Sequence, residues 1–317
     1  MGASGFVGTA VMRAATATPD LTPIACGRRQ TSQFDPAIEK RICDATDPAA
    51  LDRALEGATY AVNSVLGSPS TMVAATRNLC SSARKHGVRR IVHLSSMAVY
   101  GDATGVVDEA AAMNPTTRYG RAKAECEAMI RAYVAAGGDA VVVRPGCVYG
   151  PGGEQWVGRV ARWLHAGRLG EIGEMANGFC NLTFNDDLAA AVICLLTAPD
   201  VAGTTYNLAD LDPMTWNQYF SNLADGIGVT VRSVSRLRVR MEATILAPPL
   251  QVSRNVTKWM GWSATSLPEP ITPSLLQLWR QPIRLNSSKA QSALKFARTP
   301  PEVGLAQSAN WFVHKPS

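Results

Sequence analysis

The sequence predicts an α/β fold, a doubly wound parallel sheet with a smaller C-terminal domain. Three observations support this prediction. Apolar runs of strand length alternate with helical patterns through the first 150 residues. A spaced glycine triplet, Gly2, Gly5 and Gly8, opens the chain, and Ser95 and Ser96 follow directly on the apolar run RRIVHL. Continuous apolar strands that alternate with helices are typical of a parallel sheet covered on both faces.

The elements follow one another in a regular order. Asp47, Pro48 and Gly57 mark one helix by a cap, a first-turn proline and a stop glycine. Strands are expected at 21–26, 59–65, 89–96, 140–145 and 204–209, and helices at 6–17, 47–57, 71–86, 117–136, 186–196, 215–225, 273–280 and 287–295. We therefore expect one domain over residues 1–150, to which about 180–210 returns, and a second over 151–317.

The glycine triplet precedes a helical pattern in MGASGFVG. Glycines at this spacing usually form the turn between a strand and a helix, where a bare backbone lets a pyrophosphate reach the helix N-terminus. Residues 1–150 are thus predicted to bind a dinucleotide. The strand before this turn is missing or truncated, although it would lie between those at 21–26 and 59–65. We expect about six to ten more apolar residues before Met1 in the natural chain.

Composition excludes several classes of protein. The net charge is +6, but no Lys/Arg-rich run is present, so nucleic acid is not an expected partner. The seven cysteines are scattered without C-x-x-C spacing, which predicts reduced thiols in a cytoplasmic protein. The four histidines are isolated, so no metal is expected. The longest apolar runs fall short of the roughly 20 residues of a membrane span, so no membrane contact is expected.

Tyr119 and Lys123 lie four residues apart in a helical pattern, so both side chains emerge on one helix face. A nearby ammonium favours the phenolate, which suits tyrosine to proton transfer. Ser96 follows a parallel strand, at the sheet edge where ligands bind, and its hydroxyl could orient a carbonyl or alcohol oxygen. Taken singly, the pair could be a solvated helix face and Ser96 a turn cap.

Together these features resemble the extended short-chain dehydrogenase/reductase family, also called the NAD-dependent epimerase/dehydratase family. The resemblance covers nearly the whole chain. Its motifs are GASGFVG (2–8), DATD around Asp44, HLSSMAVYG (93–101), YGRAK (119–123), RPGCVYGPG (144–152), FNDDLA (184–189), YNLAD (206–210) and SSKAQSALKF (287–296).

The resemblance implies a catalytic triad. Ser96 would orient the substrate oxygen, Tyr119 would act as general acid or base, and Lys123 would lower the pKa of Tyr119 and bind the nicotinamide ribose. Tyr119 and Lys123 would therefore also contact the cofactor. The other cofactor-binding residues implied are Gly2, Gly5, Phe6, Val7, Asp44, Ala45, Asn63, Pro145 and Val148.

The cofactor type is predicted from charge. NAD sites tend to place an acidic residue roughly 20 residues beyond the glycines, where it binds the ribose 2′-hydroxyl. Here the second strand runs into Arg28 and Arg29 with no carboxylate beside them. Because a guanidinium suits a 2′-phosphate, the sequence favours NADP over NAD. The alternative is two solvated loop arginines.

The reaction remains open between two classes of enzyme. Sugar-nucleotide enzymes of the family commonly have an arginine where this chain has Cys180, and dehydratases tend to have Thr-Asp-Glu before V-Y-G where it has SSMA. These departures favour an NAD(P)-dependent oxidoreductase acting on a ketone or secondary alcohol. The alternatives are a nucleotide-sugar epimerase or dehydratase with the same triad, and a cofactor-binding sensor without turnover. By analogy with the family, a homodimer would form through helices 71–86 and 117–136.

Overall fold

The structure is a computed structural model that describes residues 1–29, 32–259 and 269–315. The helices are α1 (Phe6–Thr16), α2 (Pro48–Leu55), α3 (Pro69–Lys85), α4 (Arg118–Ala135), α5 (Arg159–His165), α6 (Asn185–Thr197), α7 (Trp216–Gly226), α8 (Arg236–Met241), α9 (Ala247–Trp259), α10 (Pro273–Arg280), α11 (Ser288–Ala293) and α12 (Pro301–His314). The strands are β1 (Ile24–Gly27), β2 (Glu39–Ile42), β3 (Tyr60–Asn63), β4 (Arg90–Leu94), β5 (Gly105–Val107), β6 (Ala140–Pro145), β7 (Cys147–Tyr149), β8 (Leu182–Phe184), β9 (Thr205–Leu208) and β10 (Ile283–Leu285).

The chain divides into two compact units. The first contains Met1–Val148, Leu182–Leu211 and Leu285–Thr299. The second contains Tyr149–Asn181, Asp212–Arg284 and Pro300–Ser317.

A parallel sheet forms the centre of the first unit, with strands in the order β3, β4, β6, β9. On one face Val92 and Val141 pack against Leu188 of α6. On the other face Ile91 packs with Leu79 of α3. Helices thus cover both faces, which confirms the predicted doubly wound α/β fold.

Strands β1 and β2 form a separate parallel pair. The first three residues bridge this pair and the main sheet. The Ala3 N–H donates to the Cys26 carbonyl at 3.2 Å, and the Met1 amino group donates to the Val62 carbonyl at 2.7 Å. Ser64 N–H donates in turn to the Met1 carbonyl at 3.2 Å. These bonds place the glycine turn at the carboxyl ends of β1 and β3.

The predicted elements of the first unit match the observed ones closely, and Asp47 caps α2 as expected, with its carboxylate accepting from Ala49 and Ala50 N–H. The sequence analysis missed β2, whose residues EKRI show no apolar run. It also missed α5, α8, α9 and α12. No helix among the residues described is both long and apolar enough to cross a membrane. The seven cysteines all lie in the described part of the chain and form no disulfide there.

Candidate active site

The turn after β4 places Ser96. Strand β4 ends at Leu94, and Ser96 caps a short 3-10 turn, Met97–Tyr100, by accepting a hydrogen bond from Ala98 N–H at 3.2 Å. The cap predicted as the plain alternative for Ser96 therefore exists. Ser96 as a whole is only 9% exposed, so the side chain that caps this turn is buried.

Glycine at position 120 lets helix α4 approach this turn closely. A Cβ at Gly120 would lie 2.5 Å from the Ala98 carbonyl oxygen, closer than any side chain tolerates. Thr117 caps the same helix and accepts from Gly120 N–H at 2.9 Å. The sequence TTRYG thus starts the helix and brings its first turn, which contains Tyr119, against the residues that follow β4.

Ser96, Tyr119 and Lys123 converge in the structure. The Ser96 side chain lies close enough to the Tyr119 hydroxyl to lower the pKa of that phenol. The Lys123 ammonium lies 5.9 Å from the centre of the Tyr119 ring and donates to the Leu94 carbonyl at 2.6 Å. Two residues from α4 and one from the turn after β4 therefore form one cluster of a phenol, an ammonium and a hydroxyl.

Burial controls the protonation of this cluster. Tyr119 is 37% exposed as a residue, and desolvation of its phenol raises the pKa of that group. The nearby Ser96 side chain lowers the pKa of Tyr119 by a smaller amount. Burial also lowers the pKa of Lys123 to about 8, against the smaller opposing effects of Cys126 and Glu127.

The pKa of Tyr119 in the protein alone is raised overall, not lowered as expected from the neighbouring Lys123. The ammonium faces the Leu94 carbonyl, and desolvation of the phenol has the larger effect. Tyr119 is therefore protonated at neutral pH, in the form that donates a proton.

A buried ion pair between Glu127 and Arg144 lies next to this cluster, and the sequence analysis did not predict it. Glu127 lies on the same face of α4 as Tyr119 and Lys123, because the three are spaced by four residues. Arg144 of β6 donates to both oxygens of Glu127, at 2.9 and 2.7 Å. Ser95 also donates to Glu127, with 2.5 Å between the oxygens. The sequence does contain one indication of this pair, because Glu127 follows Lys123 by one helical turn.

A second buried network begins at Asn63, which the family resemblance placed near the cofactor. Its side-chain nitrogen donates to Thr76 Oγ1 at 3.2 Å and lies 3.1 Å from His93 Nδ1. Its side-chain oxygen accepts from Val65 N–H at 3.3 Å. His93 Nδ1 is therefore the acceptor and its proton lies on Nε2. Burial, and then the charge of Lys123, lower the pKa of His93, so this imidazole is neutral.

The glycine turn forms as predicted for residues 2–8. Gly2 has a φ of 75°, and a Cβ at Gly8 would lie 2.1 Å from the Gly2 carbonyl oxygen. Helix α1 starts at Phe6 and Val7, and its N-cap Gly5 provides no side-chain cap. Its first N–H groups thus lack a side-chain partner, and such helix N-termini bind phosphate groups.

Basic residues lie beside this turn. A small cavity is lined by Ala3, Ser4, Ala25, Gly27, Arg29, Phe34, Lys40, Arg41 and Ile42. Arg28 is exposed and lies near Asp44, whose pKa it lowers after the larger effect of two hydrogen bonds from Thr46. Among the residues described, no carboxylate lines this cavity. The sequence likewise has no acidic residue next to Arg28 and Arg29.

The remaining predicted cofactor contacts lie at the ends of strands. The Ala45 carbonyl, just after β2, accepts from the Asn78 side chain at 3.0 Å. Pro145 ends β6 and pairs with Leu208 of β9. Val148 is half-buried and packs on the apolar cluster of the main sheet. The carboxyl ends of parallel strands form the edge where doubly wound sheets bind ligands.

Fold and site together define a Rossmann-type α/β protein with a phenol, an ammonium and a hydroxyl beside its parallel sheet. A profile of the NAD dependent epimerase/dehydratase family matches residues 1–209. The chain belongs to this family.

Three similar proteins illustrate the range of the family. The chain is 26% identical over 260 residues to 3beta-hydroxysteroid-dehydrogenase/decarboxylase isoform 2 of Arabidopsis thaliana, covering 77% of this chain and 45% of that protein. It is 26% identical over 247 residues to N-acetyl-alpha-D-glucosaminyl-diphospho-ditrans,octacis-undecaprenol 4-epimerase of Escherichia coli O157:H7, covering 74% and 73%. A solved structure of the dTDP-glucose 4,6-dehydratase DesIV from Streptomyces venezuelae, a double mutant with NAD and DAU bound, has a TM-score of 0.75 at 21% identity, covering 99% and 96%.

Proposed function

We propose that this protein is an NAD(P)-dependent oxidoreductase that transfers hydride between the nicotinamide and a ketone or secondary alcohol. The observation that supports this most directly is the convergence of Ser96, Tyr119 and Lys123. A bound nicotinamide nucleotide would supply the hydride. The protein would hold it at the uncapped N-terminus of α1 and at Lys123.

Each member of the cluster has a defined task. Ser96 Oγ orients the substrate oxygen, and Tyr119 gives its proton to that oxygen as the carbonyl becomes an alcohol. Burial keeps Tyr119 protonated until then. Lys123 presents a positive charge near the phenol, which favours the phenolate once the proton has left. In the oxidation direction the same groups act in reverse.

One residue of the second unit, Cys180, supports a reductase rather than a sugar-nucleotide enzyme. Cys180 stands where sugar-nucleotide relatives commonly have arginine, and its side chain is completely buried. Its N–H donates to the Met214 carbonyl at 2.8 Å, so this residue belongs to the interior. A buried thiol cannot replace a bidentate cation on a diphosphate. The dehydrogenase from Arabidopsis supports the same choice, whereas the epimerase from Escherichia coli supports the alternative.

A cofactor oxidation assay tests the proposal. The purified protein is incubated with NADPH or NADH and a panel of ketones while the absorbance of the reduced nicotinamide is followed. We expect net oxidation, and Tyr119→Phe should reduce kcat by about 10²–10⁴-fold. Tyr133→Phe is the matched control on the same helix and should retain activity. Conversion of sugar nucleotides without net cofactor oxidation would refute the reductase and establish the epimerase class.

The preference for NADP is also proposed, and it depends on the basic cavity beside the glycine turn. Arg29 and Lys40 line this cavity, and each could donate charge-assisted hydrogen bonds to a 2′-phosphate. Arg29→Gln should therefore lower kcat/KM for NADPH by about tenfold or more and leave the value for NADH unchanged. Arg53→Gln, an exposed arginine on α2, is the control. A wild-type preference for NADH would overturn this assignment.

A further inference from the structure

An exposed apolar stripe runs along consecutive helical segments of the second unit, from α8 through a π-helical turn, Glu242–Leu246, into α9. We call this the outer stripe. Its members are Leu237 (67% exposed), Met241 (44%), Ile245 (63%), Val252 (62%) and Val256 (48%).

The outer stripe is a continuous face of the helix. Leu237, Met241 and Ile245 follow one another at intervals of four residues, as do Val252 and Val256, so their side chains stack along one side. The segment is held to the protein through other positions, since Val239 and Ala243 are completely buried. Large exposed apolar faces of this kind mark surfaces that bind a partner.

Positive charges flank the stripe. Arg238 and Arg240 are exposed on the same segment, and Arg280 of α10 lies across a groove of about 560 Å³. The groove is lined by Leu237, Arg240, Met241, Thr244, Pro273, Leu276, Gln277 and Arg280. Neither Arg240 nor Arg280 has an ion-pair partner among the residues described. The carboxylate of Glu242 is buried and paired with Arg168, so it does not neutralise the surface.

We propose that the outer stripe docks on the surface of an anionic phospholipid bilayer. A helix with an apolar face and flanking arginines lies in the plane of the lipid interface, where its apolar side chains enter the acyl boundary and its cations meet anionic head groups. This differs from the sequence-based expectation of no membrane contact, because the pattern lies in helices that the sequence analysis missed. The inference does not depend on the proposed hydride transfer.

The positive charge beside the outer stripe favours a lipid surface over a second copy of the chain as its binding partner. A symmetric dimer through the outer stripe would join two identical patches, so the positive charges of Arg238 and Arg240 would be present on both sides of the interface. Like charges in an interface oppose association. An anionic surface satisfies the arginines and the apolar side chains together.

Vesicle sedimentation with the full chain tests the proposal. One set of vesicles contains phosphatidylcholine only, and the other contains phosphatidylcholine with phosphatidylglycerol. We expect binding to the anionic vesicles, weaker binding to the neutral ones, and loss of the difference at high salt. Absence of binding to anionic vesicles at low salt would overturn the proposal.

Variants connect the binding to the outer stripe. Met241→Ser with Ile245→Ser should lower partitioning by about tenfold or more, because two apolar side chains no longer enter the lipid. Arg238→Gln with Arg240→Gln should lower partitioning about fivefold for each charge and weaken its salt dependence, since Arg280 remains. The control Val313→Ser removes an exposed apolar side chain of α12 and should bind as the wild type does.

The outcomes separate this inference from the proposed function. Circular dichroism melting checks that each variant is folded, and turnover of a water-soluble ketone should be unchanged in all of them. Equal loss of vesicle binding in the Val313 control would refute a role for the stripe. A wild-type dimer that Ile245→Ser converts to a monomer, without any vesicle binding, would identify a second copy as the occupant and overturn the proposal.

Discussion

The buried pair of Glu127 and Arg144 gives a sharp test of how the active-site helix is held. The side chains of these residues are 1% and 5% exposed, and two parallel hydrogen bonds of 2.9 and 2.7 Å join them. The perturbation is a double-mutant cycle of Glu127→Met, Arg144→Met and the double variant. Glu127→Met leaves the buried Arg144 charge without its partner, and Arg144→Met leaves Glu127 with only the exposed Arg131 guanidinium at 3.5 Å.

The burial and the contacts of this pair give the expected loss in the free energy of unfolding. Removing one partner of a buried pair costs about 3–5 kcal/mol of the free energy of unfolding. Glu127→Met also deprives the Ser95 hydroxyl of its acceptor, and Arg144→Met removes a donor from Tyr100, which adds about 1–3 kcal/mol where the polar group stays buried and unsatisfied. The double variant removes both charges, so its cost should fall short of the sum by about 3 kcal/mol or more.

Urea unfolding followed by tryptophan fluorescence measures these values. The matched control is the exposed pair of Arg236 and Glu174, at 2.8 Å, whose coupling should be at most about 1 kcal/mol. If the costs of Glu127→Met and Arg144→Met add within about 0.5 kcal/mol, the two residues act independently and the reasoning is wrong.

Three further predictions concern folding and pH. Gly8→Ala should lower the melting temperature and weaken NADPH binding measured by fluorescence, because its Cβ would lie 2.1 Å from the Gly2 carbonyl oxygen; an unchanged melting temperature would contradict this. Burial and the charge of Asp187 raise the pKa of Asp210 from 3.8 to about 7, so the native state binds the extra proton and this carboxyl makes stability fall as pH rises between those values. Asp210→Asn should flatten that part of the curve in urea titrations. Burial lowers the pKa of Lys123 from 10.5 to about 8, so the unfolded state binds more protons between those values and stability should rise with pH there. Lys123→Met should abolish that rise, and a persistent rise would locate the titration elsewhere.

The first half of the fold was predictable because its signals are local. The helix caps at Asp47 and Thr117, the glycine turn and the apolar strands each lie within a few residues of one another. Strand β2 and helices α8 and α9 were missed for a physical reason. The EKRI strand pairs at an exposed edge, and α8 and α9 show their apolar residues to solvent, so neither follows the usual rule that apolar periodicity marks the core.

The residues that carry the proposed chemistry were also predictable by type, since Ser96, Tyr119 and Lys123 lie in recognisable local patterns. The protonation state of these side chains could not be predicted from the sequence. The phenol was expected to be acidic beside Lys123, whereas burial raises its pKa in the folded protein. Desolvation depends on atoms brought in from distant parts of the chain, and no spacing of residues along the sequence reports it.

The sequence by itself determined the alternation of strands and helices, the glycine turn and the chemical types at the site, because these depend on propensities and contacts between near neighbours. Only the tertiary structure decided that Arg144 would neutralise Glu127 beneath Lys123, that Asn63 would set the tautomer of His93, and that the outer stripe would stay exposed. Those outcomes require side chains far apart in the chain to meet, and the meeting is set by how helices pack on the sheet.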